Sequence, residues 1–320
     1  DGVTADEVKG VLLGMASGQE TLLGYFKRFI SNFEKRVGVN RTIGSLRAYR
    51  NAYNHIERFL QVQYKLSDIP FSALDRSFID KYDLYLRTER NLAPGTIINL
   101  TVQLKTIVGE AIADGIITAS PFLGYEPVRP KAVQKYLTAE ELHRIMTTPL
   151  HRQTLYHVRD LFLFSCFTGI SYGDMRLLTR DNLCLAEDGT WWIKSARQKT
   201  KIEFEIPLLD LPLQILKKYG DTAPGDKLLP VYCNSMLNLY LKEIARICHI
   251  DRPLVFHVGR HTYATEITLS HGVPLETVSK MLGHSQIETT QIYAKVTDDK
   301  IDADTKALNR KISERFSVII

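Results

Sequence analysis

Residues 254–265 read LVFHVGRHTYAT and set His257, Arg260 and His261 within little more than one helical turn. His257 and His261 stand four apart, so a helix would carry both on one face. That spacing suits a pair of zinc ligands. However, no Glu follows the first His as in HExxH, and no thiolate or carboxylate cluster completes a ligand set. Two helix-terminal imidazoles satisfied by backbone or solvent are the plain structural reading. The guanidinium between them adds a third reading, a site for phosphate.

Two neighbouring stretches bear on the choice. Residues 280–296, KMLGHSQIETTQIYAKV, carry His284 after a glycine and Tyr293 nine residues later, and residues 197–201, RQKTK, carry Lys199. Phosphoryl transfer from DNA asks for a nucleophile, for donors to the non-bridging phosphate oxygens, and for an acid that protonates the departing 5′-oxygen. Tyr293 can be the nucleophile, Arg260, His257 and His284 the donors, and Lys199 the acid, with no metal needed. Each residue also has an ordinary alternative. Tyr293 is one of 15 tyrosines, and a helical Tyr is usually a core-edge residue. Lys201 rivals Lys199, because strand alternation would put both on one face; the place of Lys199 in the turn favours it.

Composition narrows the class of protein. The 320 residues suffice for two domains, and 44% hydrophobic with 24% charged residues is an ordinary globular balance. The most apolar run, LFLFSCFTGI at 161–170, is about half the roughly 18 residues of a membrane span and suits a buried helix. No basic-then-apolar leader opens the chain, which begins at Asp1 without Met and is expected to be a fragment or processed form. Cys166, Cys184, Cys233 and Cys248 form no CxxC pair, which implies reduced thiols in a cytoplasmic protein and excludes a redox or zinc-ribbon reading. A net charge of +5, from 41 basic and 36 acidic side chains, is compatible with a polyanionic partner without demanding one.

The pattern along the chain is mainly α with a small β-sheet. Residues 21–118 carry four helical segments. One has apolar positions at Leu22, Tyr25, Phe26, Phe29, Ile30 and Phe33; others cover 46–60 and 75–90, and the last starts at Pro94 and ends before Gly115. Together they make a small bundle whose polar faces hold Lys27, Arg28, Lys35, Arg36, Arg41, Arg47 and Arg50, either a solvated surface or a face for nucleic acid. Residues 119–135, with three prolines and basic residues that include Lys131 and Lys135, read as an extended linker. Thr138 and Glu141 then have capping-box spacing, a buried helix stops at Thr168-Gly169, and residues 189–208 read as a strand pair joined by a basic turn.

These motifs together resemble the tyrosine recombinases, or phage-type integrases. HVGRHTYAT matches the family's HxxRH box, LGHSQIETTQIYAKV matches its LGHSxxxTTxxY box nearly throughout, and the resemblance extends over most of the chain. It implies a helical, SAM-like core-type DNA-binding domain over 21–118, preceded by a remnant or coupler segment (1–20), and a catalytic domain over 136–320. It also implies that Tyr293 forms a 3′-phosphotyrosyl link. Arg260, His257 and His284 would then hold the phosphate or move protons, Lys199 would reach into the minor groove as the acid, and His261 would support them. The partners implied are double-stranded DNA with specific core sites, three further copies of the chain in a tetramer, and host DNA-bending and excision factors. No cofactor and no membrane are implied. Strands would be exchanged through a Holliday junction, the two domains clamping DNA from opposite sides. The helix after Tyr293 would dock on a neighbouring copy or on its own domain.

One box departs from the pattern. The family has TGxRxxEL, whereas residues 166–178 read CFTGISYGDMRLL, so Ser171 stands at the Arg position while Asp174 keeps the acidic one. Losing a guanidinium from a phosphate site removes a few kcal/mol of transition-state stabilisation. Arg159, on the apolar face of the preceding helix, is the expected replacement, with a structural pairing to Asp160 or a helix end as its alternative; Arg176 reads as solvated. A Ser in this box is similar to the integrases of Bacteroides-type conjugative transposons, which implies integration and excision of a mobile element. Two other classes stay open. A type IB topoisomerase would relax DNA without exchanging strands, and a degenerate relative would bind DNA without cutting it.

Overall fold

The structure is a computed structural model and describes residues 20–129, 135–293 and 298–313. The chain divides between Ala132 and Val133 into two compact units.

Among its described residues the first unit is built on the α-helices α1 (Leu22–Glu34), α2 (Ile43–Phe59), α3 (Arg76–Thr88) and α4 (Pro94–Ala113). Their ends are set by local chemistry. Thr42 accepts from the Ser45 N–H (3.1 Å) and Asp75 from the Phe78 N–H (2.7 Å), capping donors that a first helical turn leaves unpaired. Pro94 opens α4, and Gly115, at φ 73°, stops it. The expected stripe on α1 buries Leu22, Tyr25, Phe26 and Phe33. Phe59 sits at the centre, its ring 5.1–5.7 Å from those of Tyr64, Phe78, Tyr82 and Tyr85.

The expected linker begins inside this unit. Phe122 is buried in its core, Arg76 donates to the Leu123 carbonyl (3.0 Å), and the Tyr125 hydroxyl donates to Asp83 (2.7 Å). Lys131 lies outside the described residues.

The second unit opens with α5 (Ala139–Thr147), whose Thr138–Glu141 capping box is formed in both directions. Its core surrounds α6 (Gln153–Thr168), buried on most sides, as its near-continuous apolar sequence requires. The short α7 (Tyr172–Met175) leads to an antiparallel sheet in the order β1 (Leu183–Leu185), β2 (Trp191–Ala196), β3 (Glu203–Pro207). Ile193 pairs with Ile206, and both face the core with Phe204. Ile202, Lys199 and Lys201 lie in the β2–β3 turn, not on strands. Strand alternation therefore does not put both lysines on one face.

Among the described residues the α-helices α8 (Asp210–Tyr219), α9 (Asn234–Ile247), α10 (His257–Thr262), α11 (Leu275–Met281), α12 (Glu288–Gln291) and α13 (Asp298–Ser313) follow. Among the described residues no helix is long and apolar enough to cross a membrane.

Candidate active site

The site grows from the packing of α10 on α6. A Cβ on Gly259 would come within 2.9 Å of the Ser165 hydroxyl, so this glycine lets the two helices close up and buries the next residue, Arg260, to 3% exposure. Arg260 Nη1 donates to the Gly169 carbonyl (2.8 Å), and Nη2 donates to the Leu282 carbonyl and to His284 Nε2 (3.0 Å). Gly169 ends α6 and Leu282 ends α11. Helix C-termini carry partial negative charge, which compensates a buried cation. Burial first, and the nearby Arg197 second, lower the Arg260 pKa to about 10. Gly169 stands at φ 70°, and a Cβ there would lie 2.4 Å from the Tyr263 ring; this is the physical reason for glycine in the Thr168-Gly169 stop.

A second guanidinium meets the first. Arg197, at the start of the β2–β3 turn, ion-pairs with Asp174 (3.0 Å) and donates through Nη1 to the same Leu282 carbonyl (3.1 Å). Its stem lies on Gly283, where φ is 61° and an added Cβ would come 2.8 Å from Arg197 Cγ. The glycine of the LGHS stretch thus makes room for an arginine from the sheet. Asp174 is buried and accepts twice more, from the Ser171 hydroxyl (2.7 Å) and from the Gln198 N–H (2.8 Å). Ser171, at the expected Arg position, caps α7 and helps hold the carboxylate that holds Arg197.

The structure does not bring Arg159 to this cluster. Its guanidinium donates to the Thr148 carbonyl (3.1 Å) and lies 3.5 Å from that of Ile145 at the end of α5, 4.7 Å above the Tyr156 ring. Ten residues of helix, about 15 Å, separate Arg159 from Gly169. The helix-end alternative describes it, and the expected replacement role is corrected. Arg176 is exposed, as read. Sequence reasoning missed Arg197, although it lies in the RQKTK stretch two residues before Lys199; only the pairing of the turn with Asp174 singles it out.

Tyr293 is 8% exposed. Its ring lies 5.1 Å from that of His261 and 6.3 Å from that of His284, nearly parallel to the latter at 13°, and His261 in turn touches His257 edge-on at 4.7 Å. Burial raises the Tyr293 pKa against the pull of Arg260 and Arg197, so the phenol is protonated at neutral pH. His257 and Lys199 line a cleft of about 570 Å³ with Ser171, Asp174, Arg197 and Asn238. Lys201 does not line it. Burial, and then the charges of Arg260 and Arg197, keep His257 neutral. Among the described residues no group of three or more His, Cys, Asp or Glu side chains is placed to hold a metal.

The cationic candidates elsewhere divide. Arg28 pairs with Glu20 (2.8 Å) and Arg50 with Glu34 (2.7 Å), Arg41 lies over the Phe33 ring, and Lys27 and Arg47 are exposed. Lys135 is exposed, and its charge helps depress the pKa of both His257 and His261.

A pH dependence follows from the imidazoles. Burial holds His261 and His284 near pKa 4, below the ordinary 6.5; His257 adds to the effect on His261, and Arg260 to that on His284. Between pH 6.5 and 4 the unfolded chain takes up protons that the folded chain refuses. The stability tied to these groups is present above about pH 6.5 and is lost as the pH falls toward 4. The urea midpoint should fall across that window, and His261→Phe should make the fall shallower.

Residues 135–300 match the phage integrase family, and residues 21–127 match the phage integrase SAM-like domain. The chain is 26% identical over 270 residues to the tyrosine recombinase XerD of Listeria monocytogenes, covering 79% of this chain and 88% of that one. It is 25% identical over 300 residues to XerC of Bacillus licheniformis, covering 86% and 94%. Its fold is similar to that of the Tn1549 transposon integrase in complex with transposon right-end DNA, at a TM-score of 0.69, 18% identity and coverage of 90% and 99%. It is also similar to a λ integrase (75–356) dimer bound to a COC′ core site, at a TM-score of 0.70, 17% identity and coverage of 87% and 100%. With a family match that spans the unit holding Arg260 and Tyr293 and a SAM-like match ahead of it, the chain belongs to the phage integrase family and is a tyrosine recombinase.

Proposed function

We propose that this recombinase is a site-specific integrase that cleaves and rejoins double-stranded DNA through Tyr293 and thereby integrates and excises a mobile element. The observation that carries the reading is the pair of guanidiniums, Arg260 and Arg197, on one carbonyl beside Tyr293. In the proposed reaction the Tyr293 oxygen attacks the scissile phosphorus and gives up its proton to neutral His257. The bond from phosphorus to the 5′-oxygen breaks, Lys199 protonates that oxygen, and a 3′-phosphotyrosine remains. The two guanidiniums offset the charge that develops on the non-bridging oxygens. A 5′-hydroxyl of the partner duplex then reverses the step through a Holliday junction within a tetramer. The bond energy is conserved in the phosphotyrosine, so neither a nucleotide nor a metal takes part.

The similar solved structures, a transposon integrase in complex with transposon right-end DNA and a λ integrase dimer on a core site, favour a mobile element and a DNA partner. The Xer relatives favour a second reading, resolution of chromosome dimers by the same chemistry. Arg197 in the cluster argues against a relative that binds DNA without cutting it.

The test is covalent capture. A bound site is selected from random duplexes and rebuilt with a nick that lets the cleaved end escape, and the full chain is added with EDTA. A denaturant-resistant adduct supports the reading; tight site-specific binding without one overturns strand transfer. Supercoil relaxation without exchange between paired sites would mark topoisomerase chemistry instead. Affinity should fall steeply with salt, because phosphate contacts release counterions. Lys199→Ala should slow cleavage at least about tenfold on ordinary DNA and much less on a 5′-thiol leaving group, which needs little acid help. An equal defect on both substrates would remove Lys199 from the acid role.

A further inference from the structure

We infer that Thr290 is a positioning residue that fixes the tautomer of His284 and couples that imidazole to the nucleophile. The inference rests on the reading above in which Arg260 holds the scissile phosphate.

A guanidinium only donates. His284 Nε2 lies 3.0 Å from Arg260 Nη2, so Nε2 must present its lone pair. A neutral imidazole with Nε2 bare carries its proton on Nδ1. Nδ1 lies 2.7 Å from the Thr290 hydroxyl oxygen, which accepts that proton's hydrogen bond. Thr290 is fully buried, at 0% exposure, whereas Thr289 beside it is exposed, so one threonine of the pair has this task. The carbonyl of Thr290 also accepts the N–H of Tyr293 (2.9 Å). The residue thus binds His284 through its side chain and the nucleophile through its backbone.

The consequence concerns which donors remain for substrate. Both hydrogens of Arg260 Nη2 are engaged, by the Leu282 carbonyl and by His284, and one hydrogen of Nη1 is engaged by Gly169. The second Nη1 hydrogen and Nε–H remain to be shared between the Tyr293 hydroxyl, which also bonds to Arg260, and a phosphate. A protonated His284 would turn an N–H against an N–H and push Arg260 away, so the imidazole has to stay neutral.

The experiment uses the full chain. Ring-nitrogen NMR at pH 7, with His284 assigned by comparison with His284→Gln, reads the tautomer. The expected wild-type state is protonated at Nδ1 and bare at Nε2; an Nε2–H tautomer or an imidazolium would overturn the inference. Thr290→Val keeps the shape and removes the acceptor, and covalent-adduct formation on the nicked duplex is expected to slow at least tenfold with the His284 ring signals changed. Thr290→Ser restores the acceptor and is expected to return the rate to within threefold of wild type with the wild-type tautomer. A folded Thr290→Val that cleaves at the wild-type rate, or a folded Thr290→Ser as slow as Thr290→Val, counts against the role. Should the valine variant fail to fold, the wild-type tautomer and the serine variant still decide. A wild-type chain that forms no adduct would sink the functional reading, while the NMR result still decides what Thr290 does to His284.

Discussion

Tyr293→Phe should abolish the covalent adduct, a loss of more than about a thousandfold, and leave affinity for the selected duplex within about threefold. The substitution removes one oxygen and keeps the ring that packs against His261 and His284. What the fold loses is the hydroxyl's bond to Arg260, a net cost of about 1 kcal/mol, small against the stability of a domain. What the reaction loses is its nucleophile. Denaturing-gel capture and gel-shift titration, run on one preparation, separate the two effects. An adduct that persists would assign the attack to another side chain. Loss of DNA binding or of the folded state would make Tyr293 a structural tyrosine.

Arg197→Ala should slow cleavage at least about a hundredfold, near 3 kcal/mol, because it withdraws one of two guanidiniums from the charge that develops on the phosphate. Arg159→Ala should stay within about threefold, since Arg159 is engaged at the end of α5. Folding should survive the first change: Asp174 keeps the Ser171 hydroxyl and the Gln198 N–H as donors, and the buried Arg260 is relieved of a like charge. Lysine at 197 should not restore activity, because the ion pair with Asp174 and the bond to Leu282 use two nitrogens of a planar fork. Ser171→Arg gives the reciprocal result. In the wild-type background the new side chain competes with Arg197 for Asp174 and lowers activity; in Arg197→Ala it recovers part of the loss. The reverse outcome, with Arg159→Ala defective and Arg197→Ala neutral, would return the missing guanidinium to α6.

Much was legible in the sequence because it was local. The Thr138–Glu141 capping box, the start of α4 at Pro94, the stop of α6 at Gly169 and the buried stripe of α1 depend on residues within a turn or two of one another. So did the assembly of candidates: the HVGRH and LGHSQIETTQIY stretches carry in their spacing the residues that meet around Arg260. Tertiary structure alone decided which arginine stands beside Arg260. Arg159 and Arg197 both lie near the right stretches, but helical periodicity reports only that a side chain faces inward, not which neighbour it meets. Arg159 meets the end of α5. Arg197 reaches Leu282 because Asp174 binds the base of the β2–β3 turn and Gly283 leaves room for its stem, and these segments touch only once sheet and helices have packed. The proton on His284 is likewise a tertiary fact, since it depends on an arginine and a threonine that approach the ring from opposite sides.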